Sequence, residues 1–147
     1  MTVCLVLSER HYALMELRQG EWVEFAVLNG GAAALLPPRR PVDEAGLEAA
    51  IEIAEDWLMP HARRLRGEVL EVRDATGRLK AGLNEVLSEP SSQWTPAEFE
   101  SVFLQLLDKA TGRTPPPALD GQEQFIADVL IMRELAHHAD LRALQLA

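Results

Sequence analysis

The sequence predicts an α+β fold, in which a mixed sheet of about four to five strands packs against three to four helices. Three observations predict it: an apolar run near the start, strand-like segments around a tight turn, and helical apolar spacing after residues 43 and 95. The 147 residues suit a single α+β domain, 1–147, because one domain usually holds about 100–200 residues. Ordinary globular fractions of apolar (48%) and charged (25%) residues argue against global disorder.

The first segments predict an N-terminal β-meander. Val3–Leu7 has no polar alternation, which indicates a strand covered on both faces. Residues 12–17 and 22–28 flank Gln19 and Gly20, which suit a two-residue hairpin turn. The predicted cross-strand pairs are Arg18 with Glu21, Leu17 with Trp22, and Leu14 with Phe25. The alternative is one helix through Gly20, which costs about 1 kcal/mol in a helix interior, so we favour the hairpin.

A helix is predicted over residues 43–66. Asp43 can cap it, and apolar residues then recur at helical spacing. Acidic residues fill its first turns and basic ones follow, which complements the helix dipole. The basic group consists of His61, Arg63, Arg64 and Arg66. We interpret it as an internal counter-charge to acidic residues of the same chain. Pro60 either kinks this helix or starts a second short one.

A later hairpin is predicted from residues 68–74 and 78–83, with Gly77 in its turn. The preceding helix is long enough for a parallel crossover, so the strand at 68–74 should lie beside Val3–Leu7 and give the order 3-2-1-4. This topology resembles the ribonuclease-H-like or actin-like layout. A nuclease of the first kind would need a carboxylate on its first strand to hold magnesium, and Val3–Leu7 has none. The resemblance therefore concerns topology alone.

The remaining residues, 95–147, are predicted to be helical. Thr95, Pro96 and Glu98 form a capping box, and Trp94 before them suits a hydrophobic staple. Gly112 should end this helix, and Asp120 with Glu123 repeats the capping pattern before a second helix. Proline-rich loops are predicted at 37–41, 88–92 and 114–117.

Charge and cysteine content narrow the choice of partners and location. The net charge of -9 opposes binding to nucleic acids or to anionic membranes. No apolar run approaches the roughly 20 residues of a membrane span, and no secretory leader is visible. The only cysteine, Cys4, excludes an internal disulfide and a Cys-rich zinc site. We therefore expect a cytoplasmic protein.

The motifs of common enzymes are absent. The sequence has no Gly-x-Ser-x-Gly elbow, no phosphate-binding loop and no dinucleotide fingerprint. Cys4 lies in the apolar strand, where a thiol is inert. The sequence argues more against an enzyme than for one, and we expect no cofactor.

An acidic face of the 43–66 helix is the best functional hint. Glu44, Glu48, Glu52 and Asp56 follow one another at four-residue spacing, and such like-charge pairs are mildly unfavourable. Three explanations for this row of carboxylates are open: the face is simply solvated, an arginine of the basic group folds back onto it, or a basic partner protein binds it. Trp22 could anchor such a partner from a sheet surface, although it also suits the core. We therefore hypothesise a small acidic protein-binding adaptor or chaperone-like module without catalytic activity. Its partner would be another protein with a basic surface, and a homodimer is allowed.

The competing hypothesis is a metal-binding protein or enzyme centred on Glu134, His137 and His138. On a helix these three side chains lie close enough to share an ion. The Glu-x-x-His motif of di-iron proteins occurs only once, however, and the zincin and inverted-zincin spacings are absent. Histidines also suit the C-terminal end of a helix, with Glu134 paired along the same face. We therefore expect no metal ion at His137 and His138.

Overall fold

The computed structural model describes residues 2–38, 42–87, 91–110 and 122–147, and a mixed six-stranded sheet forms its centre. The strands are β1 (Val3–Leu7), β2 (His11–Arg18), β3 (Glu21–Asn29), β4 (Val69–Asp74), β5 (Gln93–Trp94) and β6 (Ala143–Leu146). The helices are α1 (Ala32–Leu35), α2 (Glu44–Leu58), α3 (Ala62–Leu65), α4 (Arg78–Val86), α5 (Pro96–Ala110) and α6 (Glu123–His138). The predicted α+β class is confirmed, with slightly more strands than the four to five expected.

β1 lies inside the sheet, whose strand order is β3-β2-β1-β4-β6-β5. It pairs antiparallel with β2 and parallel with β4, which confirms the predicted order 3-2-1-4. β6 continues the sheet in parallel beside β4, and β5 pairs antiparallel with β6. Consecutive β1 residues are buried although their side chains point to opposite faces, so both faces of β1 are covered.

The first hairpin is confirmed, and the helical alternative for residues 12–28 is wrong. Gln19 and Gly20 have φ angles of 50° and 81°, the left-handed values that a tight turn of type I′ needs. Leu17 pairs with Trp22 and Arg18 with Glu21, as predicted. Leu14, however, lies opposite Ala26 rather than Phe25. A β-bulge between the Leu14 and Met15 pairs shifts the register, because Phe25 is an extra residue on β3.

The second predicted hairpin is wrong, because residues 78–86 form helix α4. Leu79 and Leu83 lie four residues apart, and both are buried on the side of the helix that faces the core. Gly77 does have a positive φ angle, 77°, but it precedes a helix rather than closing a strand turn. The segment therefore contributes one strand, β4, and one helix.

The predicted helix starts are confirmed where the structure describes them. The Asp43 carboxylate accepts a hydrogen bond from the Gly46 amide at 2.7 Å at the start of α2. At the start of α5, Thr95 Oγ1 accepts from the Glu98 amide, and Glu98 Oε1 accepts from the Thr95 amide. Trp94 packs edge-on against Phe99, which completes the staple. The helix predicted over 43–66 ends at Leu58, and a 3-10 turn (Met59–His61) leads into α3.

α6 is the most deeply buried helix, and it contacts α1, α2, α4 and α5. Its apolar residues face several neighbours at once, as expected of a helix surrounded by protein. Two of its carboxylates, Asp128 and Glu134, are nevertheless completely buried. The chain after α6 is not helical as predicted. It turns back into β6, which fills the place beside β4.

Some predicted features lie outside the described residues. These are parts of the loops at 39–41 and 88–90, the helix end at Gly112, the proline segment 114–117 and the Asp120 cap. In the part of the chain that the structure does describe, no helix is both long and apolar enough to cross a membrane.

Candidate functional site

The carboxyl ends of β1 and β4 meet at one edge of the sheet, where Leu7 pairs with Asp74. In open α/β sheets, the crevice outside these strand ends is where ligands usually bind. Polar side chains from four parts of the chain converge here, and we call them the carboxyl-edge cluster. Its members are Glu9, Tyr12, Asp74, Arg78 and Asp128.

The buried Asp128 carboxylate organises this cluster. Arg78 donates to it through both Nε (2.7 Å) and Nη2 (2.9 Å), and the Tyr12 hydroxyl donates to Asp128 Oδ1. Burial raises the pKa of Asp128, although Arg78 and Tyr12 counteract part of this rise. Burial also raises the pKa of Tyr12, and the charge of Asp128 adds to that rise. Arg78 is therefore held in a fixed position by two parallel hydrogen bonds.

Asp74 fixes the loop that joins β4 to α4. Its Oδ1 accepts from the Thr76 amide (2.9 Å) and the Thr76 hydroxyl (2.5 Å), while Oδ2 accepts from the Leu79 amide at 2.8 Å. The Thr76 hydroxyl oxygen in turn accepts from the Arg78 amide. Amides at the start of α4, which could otherwise bind an external anion, are therefore occupied by the protein's own oxygens.

One side of Arg78 remains open to a ligand. Its Nη1 faces Glu9 Oε2 at 3.8 Å, which is longer than a direct hydrogen bond. The Glu9 side chain is 71% exposed, whereas that of Arg78 is only 16% exposed. Nη1 of the fixed Arg78 guanidinium therefore faces only the exposed carboxylate of Glu9, which a competing anion could displace.

A second group of titratable side chains lies at the C-terminal end of α6. Glu134 and His138 come from α6, and Glu55 joins them from α2. His137, which the sequence grouped with them, is exposed, and its ring packs edge-on against that of His138. The predicted centre of Glu134, His137 and His138 is therefore corrected: Glu55 takes the place of His137.

The acidic stripe on α2 is exposed, as its sequence spacing suggested. Glu44, Glu48, Glu52 and Asp56 all lie on the solvent side of the helix. Among the described residues, no ion pair joins the stripe to the basic group that follows. Instead, Arg64 stacks on Phe25, and Arg66 lies 3.9 Å from Asp140.

Trp22, the proposed partner anchor, is partly buried at the start of β3. The Arg73 guanidinium lies 4.6 Å from the centre of its ring, so part of the indole face is already covered by a cation. That Trp22 or the acidic stripe contacts another protein stays a prediction.

Comparison with solved structures relates the fold to phosphatases. No family model and no curated protein sequence matches the chain. One similar structure is a Ppx/GppA family member from Aquifex aeolicus, with 10% sequence identity and a TM-score of 0.66. Another is an exopolyphosphatase from Cytophaga hutchinsonii, also with 10% identity and a TM-score of 0.66. These likenesses cover 99% and 100% of this chain but only 51% and 53% of the others. The chain has the fold of about half of such a protein.

The comparison contradicts the adaptor hypothesis. The chain shares its fold with part of chains described as a Ppx/GppA phosphatase and an exopolyphosphatase, and no similar structure supports a noncatalytic adaptor or a chaperone-like module. The hypothesis rested on net charge and on missing motifs. Net charge, however, affects solubility and the rate of association with partners and does not determine the fold. Motifs are equally limited, because a polar site can be assembled from distant residues that form no local pattern.

The carboxyl-edge cluster is not predicted from the sequence. Asp128 lies in an otherwise apolar stretch of α6, and a carboxylate in such a stretch usually needs a buried partner. The position of Asp128 among apolar residues is thus the signal in the sequence that could have identified the cluster. Its partner Arg78 is fifty positions away and was assigned to a strand, so sequence spacing could not join the two.

Proposed function

We propose that this chain is a phosphate-binding domain of a phosphatase-type protein, and that it binds a phosphate ester or a phosphate chain at the carboxyl-edge cluster. Its fold is similar to about half of proteins described as a Ppx/GppA phosphatase and an exopolyphosphatase. The cluster lies outside the carboxyl ends of adjacent parallel strands, where sheets of this kind usually bind ligands.

The fixed position of Arg78 is the observation that supports this proposal most. Asp128 holds Nε and Nη2, so the guanidinium loses little freedom when Nη1 contacts a ligand oxygen. Guanidinium groups suit phosphate oxygens because their N–H donors are charged and directional. Glu9 is the only partner of Nη1 among the described residues, and a phosphate oxygen would replace it.

The proposal includes a cytoplasmic location. Cys4 is buried in β1 as a free thiol, and burial raises its pKa. A chain with one buried thiol has no internal disulfide, which is usual for proteins of a reducing compartment.

Titration calorimetry with inorganic triphosphate tests the proposal, and the Glu9 variant does so without changing the buried pair of Arg78 and Asp128. Replacing Glu9 by Gln removes the competing carboxylate from an exposed position, so we expect binding to become about two- to five-fold tighter. Replacing Arg78 by Lys keeps the charge but loses the fork geometry, so we expect weaker binding.

Glu85→Gln is the matched control, because Glu85 is an exposed carboxylate on α4 outside the cluster. It should leave the affinity unchanged. The proposal is wrong if neither the native protein nor Glu9→Gln shows saturable binding. Equal effects of Glu9→Gln and Glu85→Gln would also reject it, since they would indicate net charge rather than a site.

A further inference from the structure

The group of Glu55, Glu134 and His138 lies away from the carboxyl-edge cluster. Asp128 and His138 are ten residues apart on α6, which corresponds to about 15 Å along a helix axis. The two groups are therefore separated by almost three turns of the same helix, and the second lies at its C-terminal end. Only the second contains an imidazole together with two carboxylates.

We propose that Glu55, Glu134 and His138 bind a divalent transition-metal cation, with Zn²⁺ as the best match. His138 Nε2 lies 3.0 Å from Glu55 Oε1 and 3.0 Å from Glu134 Oε2. All three donor atoms lie within 4.8 Å of one another. Donors bound to one tetrahedral cation at about 2.0–2.2 Å are separated by roughly 3.3–3.6 Å, so only small shifts would complete the site.

Hydrogen bonding within the protein does not satisfy these atoms. Nε2 carries at most one hydrogen, which cannot point well at two carboxylate oxygens at once. Glu134 is completely buried, and although His138 Nε2 lies 3.0 Å from its Oε2, no hydrogen bond of acceptable geometry reaches that oxygen among the described residues. A buried carboxylate oxygen without a donor is costly. A cation between the three donors would remove that cost.

Arg133 and Glu100 hold Glu134 in place for such a role. Arg133 Nη1 donates to Glu134 Oε1 at 2.5 Å, which leaves Oε2 facing His138. Arg133 is itself fixed by two hydrogen bonds to Glu100, at 2.8 and 3.2 Å. Partners of this kind commonly orient metal ligands. The carboxylates of Glu55, Glu100 and Glu134 together with the Arg133 guanidinium leave two negative charges, which a divalent cation would balance.

The donor types determine the class of ion. Imidazole nitrogen suits Zn²⁺ and related transition metals, whereas Mg²⁺ and Ca²⁺ prefer oxygen donors alone. The His138 and Glu55 side chains are 28% and 39% exposed, so an ion can reach the site from solvent. Three protein donors leave a fourth position for water. The sequence predicts no ion here because residue spacing on α6 alone cannot include Glu55 of α2.

Calorimetric titration of the full chain with Zn²⁺, combined with thermal unfolding, tests the site. We expect one Zn²⁺ per chain and a higher melting temperature, because an ion that joins α2 to α6 binds the folded state. Glu55→Gln and His138→Ala should each weaken Zn²⁺ binding at least about ten-fold. Loss of a residue that only orients a metal ligand typically costs about 10–100-fold in affinity, and loss of the ligand itself should cost no less. Mg²⁺ should not replace Zn²⁺.

The matched controls are His137→Ala and Glu48→Gln, which remove an adjacent histidine and a carboxylate two turns away on α2. Both should bind Zn²⁺ like the native protein. The proposal fails if no stoichiometric Zn²⁺ binding is seen, or if His137→Ala weakens it as much as His138→Ala. It also fails if His138→Ala and Glu55→Gln fold normally and retain full affinity.

Discussion

Gly82 of α4 lies against the ring of Phe125 of α6, so closely that an added Cβ would be 2.5 Å from both Cδ1 and Cε1 of the ring. Phe125 is buried, so its ring has little space to move. α4 can approach α6 this closely because position 82 has no side chain.

Gly82→Ala should therefore destabilise the protein, although alanine favours helix by about 1 kcal/mol. Overpacking of a core typically costs about 1–3 kcal/mol, which exceeds that gain. Urea unfolding measures the difference. Ala81→Gly is the control, because Ala81 is exposed and should lose only about 1 kcal/mol of helix propensity. A Gly82→Ala variant more stable than the native protein would contradict the close packing.

Tyr12 should ionise only at a pH well above its ordinary pKa near 10. Burial raises its pKa, and Asp128 adds to the effect. The folded state thus favours the neutral phenol, and this contribution to stability is complete below pH 10 and disappears as pH rises through the higher folded pKa. Tyr12 is the sole tyrosine, so tyrosinate absorbance reports on it alone.

Alkaline titration followed by absorbance and circular dichroism checks this prediction. In the native protein, tyrosinate should appear only as the fold is lost, whereas in urea Tyr12 should titrate near its ordinary value. Asp128→Asn should lower the Tyr12 pKa relative to the native protein. Ionisation near pH 10 with an intact fold would show that the Tyr12 hydroxyl is not buried against Asp128.

Removal of the α5 cap should cost measurable stability. Thr95→Ala removes the oxygen that accepts from the Glu98 amide, and such losses are typically about 0.5–2 kcal/mol. Hydrogen bonding to the Thr95 amide lowers the pKa of Glu98, so its contribution is present above about pH 4.5 and is lost as pH falls through the lower folded pKa. Thermal unfolding at neutral and acid pH measures both effects. Ser101→Ala, at an exposed position within α5, should have little effect, and equal losses would place the helix start elsewhere.

Neutralising part of the acidic stripe should slightly stabilise the protein. Replacing Glu48 and Glu52 together by Gln relieves like-charge repulsion of a few tenths of a kcal/mol per pair and preserves helix propensity. The melting temperature should therefore stay the same or rise slightly, and any gain should vanish in about 1 M salt, which screens exposed charges. A clear fall in melting temperature would mean that these carboxylates have favourable partners.

Local signals in the sequence predicted the parts of the fold that local physics determines. The apolar run of Val3–Leu7, the turn at Gln19 and Gly20, and the capping box at Thr95 each depend on neighbouring residues, and all three are confirmed. The segment after Gly77 was misassigned because the residues before it suit a hairpin turn. Two contacts favour the helix instead: the Asp74 carboxylate accepts from the Leu79 amide within the same loop, and Gly82 packs on Phe125 of α6, which is distant in the sequence.

The candidate sites depend on long-range contacts that spacing cannot show. Asp128 was visible as a charge among apolar residues, but nothing local identified Arg78 as its partner. Glu134 and His138 were predicted as neighbours because they share a helix face, whereas Glu55 joins them only through the packing of α2 on α6. Sequence spacing thus identifies one half of each site at most.

The two neighbours of β1 become available at very different times as the chain is synthesised. β2 follows it after a short turn, so the antiparallel ribbon β1-β2-β3 needs only nearby residues. β4 arrives much later, after α2 and α3, and its own outer edge stays unpaired until residues 143–146 form β6. Parallel pairing of such distant segments is slow because a long loop must close first. We therefore expect the ribbon to fold early. Until β6 forms, the unpaired edge of β4 could pair with a strand of another chain.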